Sequence, residues 1–168
     1  RLGMRRLLAH RISDESADNG EQEFSRYQAL LTELRQSRIA VETAAANEQH
    51  YELPAAFFEQ VLGANLKYSS YWWGEGVADL DQAEALMLQL TCERAQLADG
   101  QKILELGCGW GSLTVWMGRH YPQARITAVS NSASQREYIM QRCQRENLHN
   151  VEVVTADAND FATDRKFD

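Results

Sequence analysis

Glu105, Gly107, Gly109 and Gly111 stand at alternate positions. They close the apolar run Lys102-Ile103-Leu104-Glu105-Leu106 and precede a helical pattern that opens at Ser112. Glycines at this spacing let backbone N–H groups approach a bound molecule with no Cβ in the way. The helix that opens after them offers unpaired N–H groups in its first turn. A carboxylate just before the turn can accept hydrogen bonds from a cationic amine. An acid beside closely approachable backbone suits a ligand that joins an amino acid to a nucleoside better than it suits a pyrophosphate. A plain tight turn between strand and helix is the competing reading, and it gives Glu105 nothing to do.

A dinucleotide site would read G-x-G-x-x-G, with an acid about 20 residues on for the ribose. Here Ser112 occupies the place of the last glycine of that fingerprint. The next strand, Arg125-Ile126-Thr127-Ala128-Val129, runs into Ser130-Asn131-Ser132 without a carboxylate. A phosphate-binding Gly-Lys-Ser/Thr loop is absent. S-adenosylmethionine is therefore the cofactor expected. A nicotinamide-dependent oxidoreductase and a non-catalytic binding module are the rival classes.

The elements that must position these residues follow from periodicity. Asp79, with Gln82 three residues on, caps a helix that presents Ala83, Leu86, Met87, Leu90 and Leu97 on one face. Asp99-Gly100 turns into the strand Lys102–Leu106. A helix then runs to His120, where Pro122 ends it. Strand Arg125–Val129 follows. A helix capped by Ser132 and Gln135 extends to Asn147, and the strand Val151–Thr155 leads into Asp157-Ala158-Asn159. Strand–helix–strand–helix–strand is half of a doubly wound parallel sheet, which binds ligands at the carboxyl ends of its strands. Three loops converge there: Glu105–Gly111, Ser130–Gln135 and Asp157–Asn159.

Upstream, residues 1–78 are expected to form a helical segment with a covering lid, and residues 79–168 the first half of the cofactor domain. Residues 1–12 mix Arg1, Arg5, Arg6 and Arg11 with Leu2, Met4, Leu7, Leu8 and Ile12. Such a helix either packs its apolar stripe on the domain or touches an anionic membrane surface. Residues 13–23 read as a polar loop, and Gln22 to Ala46 as a helix carrying Phe24, Tyr27, Leu31 and Leu34. Pro54 opens a short helix, Ala55–Leu62, which Gly63 stops. The aromatic run Leu66–Gly74 reads as an ordered covering loop or as a satellite hydrophobic cluster.

The chain has 168 residues, 44% of them hydrophobic, and a net charge of −7. One domain with a real core is the prior, and a general nucleic-acid binder, which needs a basic footprint, is disfavoured. Cys92, Cys108 and Cys143 form no C-x-x-C pair, which fits a reducing, cytoplasmic compartment. No metal-ligand spacing occurs. Residue 1 is Arg, and Lys166-Phe167-Asp168 stand where a further strand would begin, so the chain reads as a piece of a longer one. On that reading Ile103 and Leu104 border an open sheet edge. Further chain or a second copy in a homo-oligomer would cover it.

With these residues placed, the sequence resembles the cyclopropane-fatty-acid synthase superfamily of class I S-adenosylmethionine-dependent methyltransferases. The resemblance covers about residues 45–168. It rests on Leu104–Leu113, on His50-Tyr51 with Phe57-Phe58, on Lys67-Tyr68-Ser69 and on the Ser130…Gln135 turn. The segments Asn47–Pro54, Cys92–Gln96 and Val129–Ser132 are most similar to the coclaurine N-methyltransferase-like branch. The resemblance implies an α/β, Rossmann-like class I methyltransferase fold preceded by a helical N-terminal segment. It implies that Tyr68 and Ser69 contact the cofactor as a lid on its methionine end. It implies that Glu105, Gly107, Gly109 and Gly111 hold the amino-acid part, that Ser130 and Gln135 lie near the ribose, and that Ala158 and Asn159, with Asp157 adjacent, lie at the adenine. It also implies a small amine or an unsaturated lipid as methyl acceptor. The family's substrate-side acid and histidine fall after the third strand, beyond residue 168.

Methyl transfer from a sulfonium needs an aligned nucleophile and exclusion of water. No catalytic residue is assigned. His50, beside a capped helix, reads as structural. Cys108, between glycines and without a histidine close in sequence, reads as a small filler rather than a nucleophile. Trp116 reads as core, and Trp72, Trp73 and Trp110 as core or pocket wall.

Overall fold

The structure is a computed structural model and describes residues 2–16, 19–41 and 53–168. The chain separates into two compact units, residues 1–41 and 42–168. The division expected at residue 78 is not the boundary between these units, and residues 55–74 bond to the helix Leu80–Arg94 and pack on Trp110.

The first unit holds α1 (Leu2–Glu15) and α2 (Gly20–Gln36). The acids expected in a polar loop belong partly to these helices. Asn19 caps α2 by accepting the Gln22 amide at 3.0 Å, and Glu21 and Glu23 lie in its first turn, where negative charge favours a helix start. The Arg26 guanidinium reaches back to the carbonyls of Glu15 and Ser16 at the end of α1. The helix expected to continue to Ala46 stops at Gln36, where the Ser37 amide closes on Glu33 and its hydroxyl on Leu34. Leu2, Met4, Leu7, Leu8 and Ile12 on α1 are exposed, as are Phe24, Tyr27, Leu30 and Leu34 on α2. No helix among the described residues is long and apolar enough to cross a membrane.

The second unit runs α3 (Ala55–Val61), α4 (Leu80–Arg94), β1 (Lys102–Leu106), α5 (Ser112–His120), β2 (Arg125–Ser130), α6 (Ala133–Arg145) and β3 (Val151–Thr155). The three strands form one sheet in the order β1-β2-β3, all parallel. Leu106 is registered on Val129, and Ser130 on Thr155, so the carboxyl ends of all three strands lie side by side. Asp79 caps α4 through the Gln82 amide at 2.9 Å. Asp99 binds the Gln123 and Ala124 amides at 2.7 and 3.0 Å, tying the turn before β1 to the start of β2. Gln96 and Asn147 take the left-handed conformation just after α4 and α6. Leu97 and Leu148 then close back on Cys92 and Cys143, as helix-ending motifs of this type require. Asp168 binds Lys102 through both its amide and its carboxylate, so the outer edge of β1 is engaged at its first residue. The core joins Ile103, Ile126 and Val153 of the sheet to Val115, Met117, Ile139 and Cys143 of the helices. Trp116 is only half-buried; it packs on this core and stacks on His120 with ring centroids 4.1 Å apart.

Candidate functional site

The crevice is built where the three strands end. The Gly107 and Cys108 amides both donate to the Val129 carbonyl, at 2.9 and 3.0 Å, and the Ala156 amide donates to the Ser130 carbonyl at 2.9 Å. The loops after β1, β2 and β3 are therefore locked into one assembly. The glycines within it divide in role. All three have positive φ: Gly107 80°, Gly109 54° and Gly111 78°. A Cβ on Gly107 or Gly109 would meet nothing within 4 Å, so these two face open space. A Cβ on Gly111 would strike Ile139 Cγ1 at 2.5 Å. Gly111 thus also admits α6 close against the loop. The amide of Gly107 is consumed within the protein. The amides of Gly109 and Trp110 have no backbone partner among the described residues, and α5 opens directly after them.

Glu105, near the end of β1, is half-buried, and Thr114 donates to its Oε2 at 2.6 Å. Burial pushes the Glu105 carboxyl up to about 7, and the Thr114 hydrogen bond works against that rise. A carboxyl so placed ionises readily once a cation arrives. The Cys108 thiol is buried and pushed up to about 12 by desolvation and by Glu105, so it is no nucleophile near neutral pH.

Ser130 at the end of β2 and Gln135 in the first turn of α6 are almost fully buried and joined by a hydrogen bond from Ser130 Oγ to Gln135 Oε1 at 2.6 Å. Ser130 Oγ also accepts the Ser132 amide at 3.1 Å. Only half of the expected capping box forms: Ser132 accepts the Gln135 amide, whereas the Gln135 side chain turns to Ser130. Gln135 Nε2 is buried without a partner among the described residues, a costly state for a donor in a protein interior. After the third strand, Asp157 Oδ1 accepts both the amide and the side-chain Nδ2 of Asn159, each at 2.8 Å. That turn sets Asp157, Ala158 and Asn159, all half-buried, beside the Ser130 end of the sheet.

The lid expected at Tyr68-Ser69 reaches the glycine loop through aromatic rings. Phe58 packs on Tyr68 at 5.8 Å and on Trp110 at 4.9 Å, and Trp110 packs on Tyr138 at 5.5 Å. Phe58, Leu66 and Trp110 form a second buried cluster. Trp110 is core, whereas Trp72 and Trp73 are exposed. Tyr68 and Ser69 are themselves exposed, and the Ser69 carbonyl accepts Lys67 Nζ at 2.9 Å. His50, Tyr51 and the rest of the 47–52 stretch lie outside the described residues. Two participants carry no sequence signal. Thr114 was one more residue on an apolar helix. Glu84, with no solvent exposure, accepts three loop amides. A lone Glu in a helical pattern reads as a solvated face, and only tertiary structure shows otherwise.

This arrangement has known counterparts. A family model described as mycolic acid cyclopropane synthetase matches residues 39–168. The chain belongs to this family. Within the reach of the synthetase family, (S)-coclaurine N-methyltransferase from Thalictrum flavum subsp. glaucum is 41% identical over 150 residues, covering 89% of this chain and 42% of that protein. Cyclopropane-fatty-acyl-phospholipid synthase from Escherichia coli (strain K12) is 28% identical over 144 residues. A solved coclaurine N-methyltransferase bound to N-methylheliamine and SAH superposes with a TM-score of 0.92 at 43% identity, covering 98% of this chain and 47% of that chain. Mycolic acid cyclopropane synthase CmaA1, at 24% identity and a TM-score of 0.64, shares the fold. The chain thus spans less than half the length of these counterparts. The fold is that of class I S-adenosylmethionine-dependent methyltransferases, present as the first half of the Rossmann-like sheet with helices preceding it.

Proposed function

We propose that the protein is an S-adenosylmethionine-dependent methyltransferase that acts on a small amine, with an unsaturated lipid acyl chain as the second reading. The observation that carries it is the end of β1, where Glu105, a carboxyl raised by burial and bonded to Thr114, is followed by Gly107 and Gly109, whose Cβ positions are open space. The amine reading is favoured because the N-methyltransferase relative is 41% identical and the lipid-modifying one 28%. Nothing supports the oxidoreductase alternative: β2 ends at Ser130 with no carboxylate for a dinucleotide ribose.

The residues present fit the cofactor. When bound, S-adenosylmethionine supplies a methyl group already activated on a sulfonium. Glu105 would receive its amino group, with Thr114 fixing the carboxylate. Gly107 and Gly109 leave room for the amino-acid part, and the orphaned Gln135 Nε2 offers a ready donor for a ribose hydroxyl. Asp157, Ala158 and Asn159 would border the adenine, and Tyr68 and Ser69 would cover the methionine end and exclude water. Orientation and desolvation are the protein's contribution to such a transfer. A reducing, cytoplasmic setting belongs to the same reading, supported by three buried free thiols. So do peripheral contact with membrane through residues 1–12, supported by the exposed apolar residues of α1, and a homo-oligomer.

Calorimetric titration of S-adenosylhomocysteine, with NAD as the comparison, tests the cofactor. Saturable binding of the first alone supports the reading, and binding of NAD alone overturns it. Transfer of labelled methyl to a secondary amine, run beside vesicles of monounsaturated phospholipid, separates the two acceptors.

A further inference from the structure

The segment bearing Tyr68 and Ser69 is fastened at both ends to one turn of α4. Glu84 takes the amides of Gly63 and Lys67 on Oε1, at 2.9 and 3.1 Å, and that of Asn65 on Oε2 at 2.8 Å. Asp81 takes the Ala64 amide at 2.8 Å. At the far end, the Trp72 amide donates to the carbonyl of Ala83, the residue before Glu84. A Cβ on Gly63 would come within 2.8 Å of both carboxylates, so the chain passes as closely as backbone can.

Between these anchors the backbone is strained. Leu66 and Ser70 have φ of 54° and 60°, the left-handed region that side chains avoid, and they flank Lys67, Tyr68 and Ser69. Such residues persist where their surroundings over-determine them, and they concentrate at ligand clamps. Leu66 is held by burial against Phe58 and Trp110. A carboxylate with no solvent exposure is also an expensive means of joining a helix to a loop, because apolar packing would serve stability as well or better. Glu84 specifies a geometry instead: it gathers three amides to one point and so fixes where the next two residues lie.

We propose that Glu84 is the positioning residue for the Tyr68–Ser69 lid, assisted by Asp81, and that it acts on cofactor affinity through the backbone without touching the cofactor. The inference rests on the S-adenosylmethionine reading and adds to it the device that pre-organises the lid. Holding two side chains in their bound arrangement before the ligand arrives removes an ordering cost from binding.

The test compares Glu84→Gln with Met117→Ala, a core substitution on α5. Each variant is examined for melting temperature, for hydrogen exchange of the Gly63, Asn65 and Lys67 amides, and for calorimetric affinity toward S-adenosylhomocysteine. Glu84→Gln should weaken binding about tenfold and speed exchange at those amides. Met117→Ala, although it lowers the melting temperature, should change affinity less than about threefold. Unchanged affinity in Glu84→Gln overturns the proposal, as does equal weakening in both variants. If Glu84→Gln does not fold, Asp81→Asn replaces it. The side chain of Asp81 lies on the helix surface, and its loss should weaken binding by about threefold; unchanged affinity again overturns the proposal. A wild-type protein that binds no S-adenosylhomocysteine overturns the cofactor reading and this role with it. That failure is visible without any variant.

Discussion

The hydroxyl of Thr114, with no solvent exposure, donates to Glu105 Oε2 at 2.6 Å and is the interaction that holds the Glu105 carboxyl down against burial. Because Glu105 is raised from 4.5 to about 7 in the folded protein, the folded state keeps a proton that the unfolded state releases. Stability therefore falls as pH rises from about 4.5 to about 7 and levels off above that, by at most about 3 kcal/mol. A cationic ligand group reverses the preference. S-adenosylhomocysteine affinity should rise with pH up to about 7, with proton release on binding below it. Calorimetry in buffers of different ionisation enthalpy measures that release, and Glu105→Gln should abolish it. Thr114→Val should move the midpoint upward.

The glycines should separate by phenotype. Gly111→Ala meets both positive φ and Ile139, so it should lower stability by about 2 kcal/mol or more. Gly109→Ala meets only the conformational penalty, about 1 kcal/mol, yet should lose cofactor binding because its Cβ enters the space left for the ligand. Thermal melts beside titrations distinguish the two outcomes.

Gln135→Met removes the orphaned Nε2 along with the acceptor of Ser130. Stability should change by less than about 1.5 kcal/mol, since a buried donor with no partner disappears at the same time. Cofactor affinity should fall about tenfold, the loss of one hydrogen bond made in a buried site. A large loss of stability with affinity intact would contradict the role assigned here.

Arg119 grips both oxygens of Glu146 at 2.6 Å and holds its carboxyl below the usual range. Since the folded value lies below the unfolded one, this stabilisation is present above the ordinary glutamate range and is lost as pH falls through the depressed value. Arg119→Ala should cost about 1 kcal/mol at pH 7, the pair being partly exposed, and close to nothing at about pH 2. Chemical denaturation at the two pH values measures the difference.

The sheet was legible because its strands are short apolar runs with strong punctuation. Lys102–Leu106 and Val151–Thr155 are found where the sequence placed them, and β2 is longer by Ser130 alone. Asp99-Gly100, Gly107 and Pro122 mark turns through backbone chemistry that does not depend on tertiary context. The end of α2 was not legible, because Ile39, Ala40 and Val41 extend an apolar pattern past the point where the backbone leaves the helix. The role of Glu84 was hidden for a different reason. Its partners lie 17 to 21 residues upstream and are backbone amides, which have no identity in a sequence. Gly111 was legible as a required glycine but not as a packing one, since Ile139 approaches only after α6 has docked.

The buried ring of Trp110 gives the protein a second use for the experimenter. Its indole is enclosed by Phe58 and Tyr138 inside the glycine loop, while Trp72 and Trp73 lie open to solvent. Emission from this chain should contain a blue component shielded from acrylamide and a red one that is quenched. Trp116, half-buried on the core, contributes as well, so the Trp116→Phe variant isolates the shielded emission of the glycine loop and lets occupancy of the crevice be followed optically with no added dye.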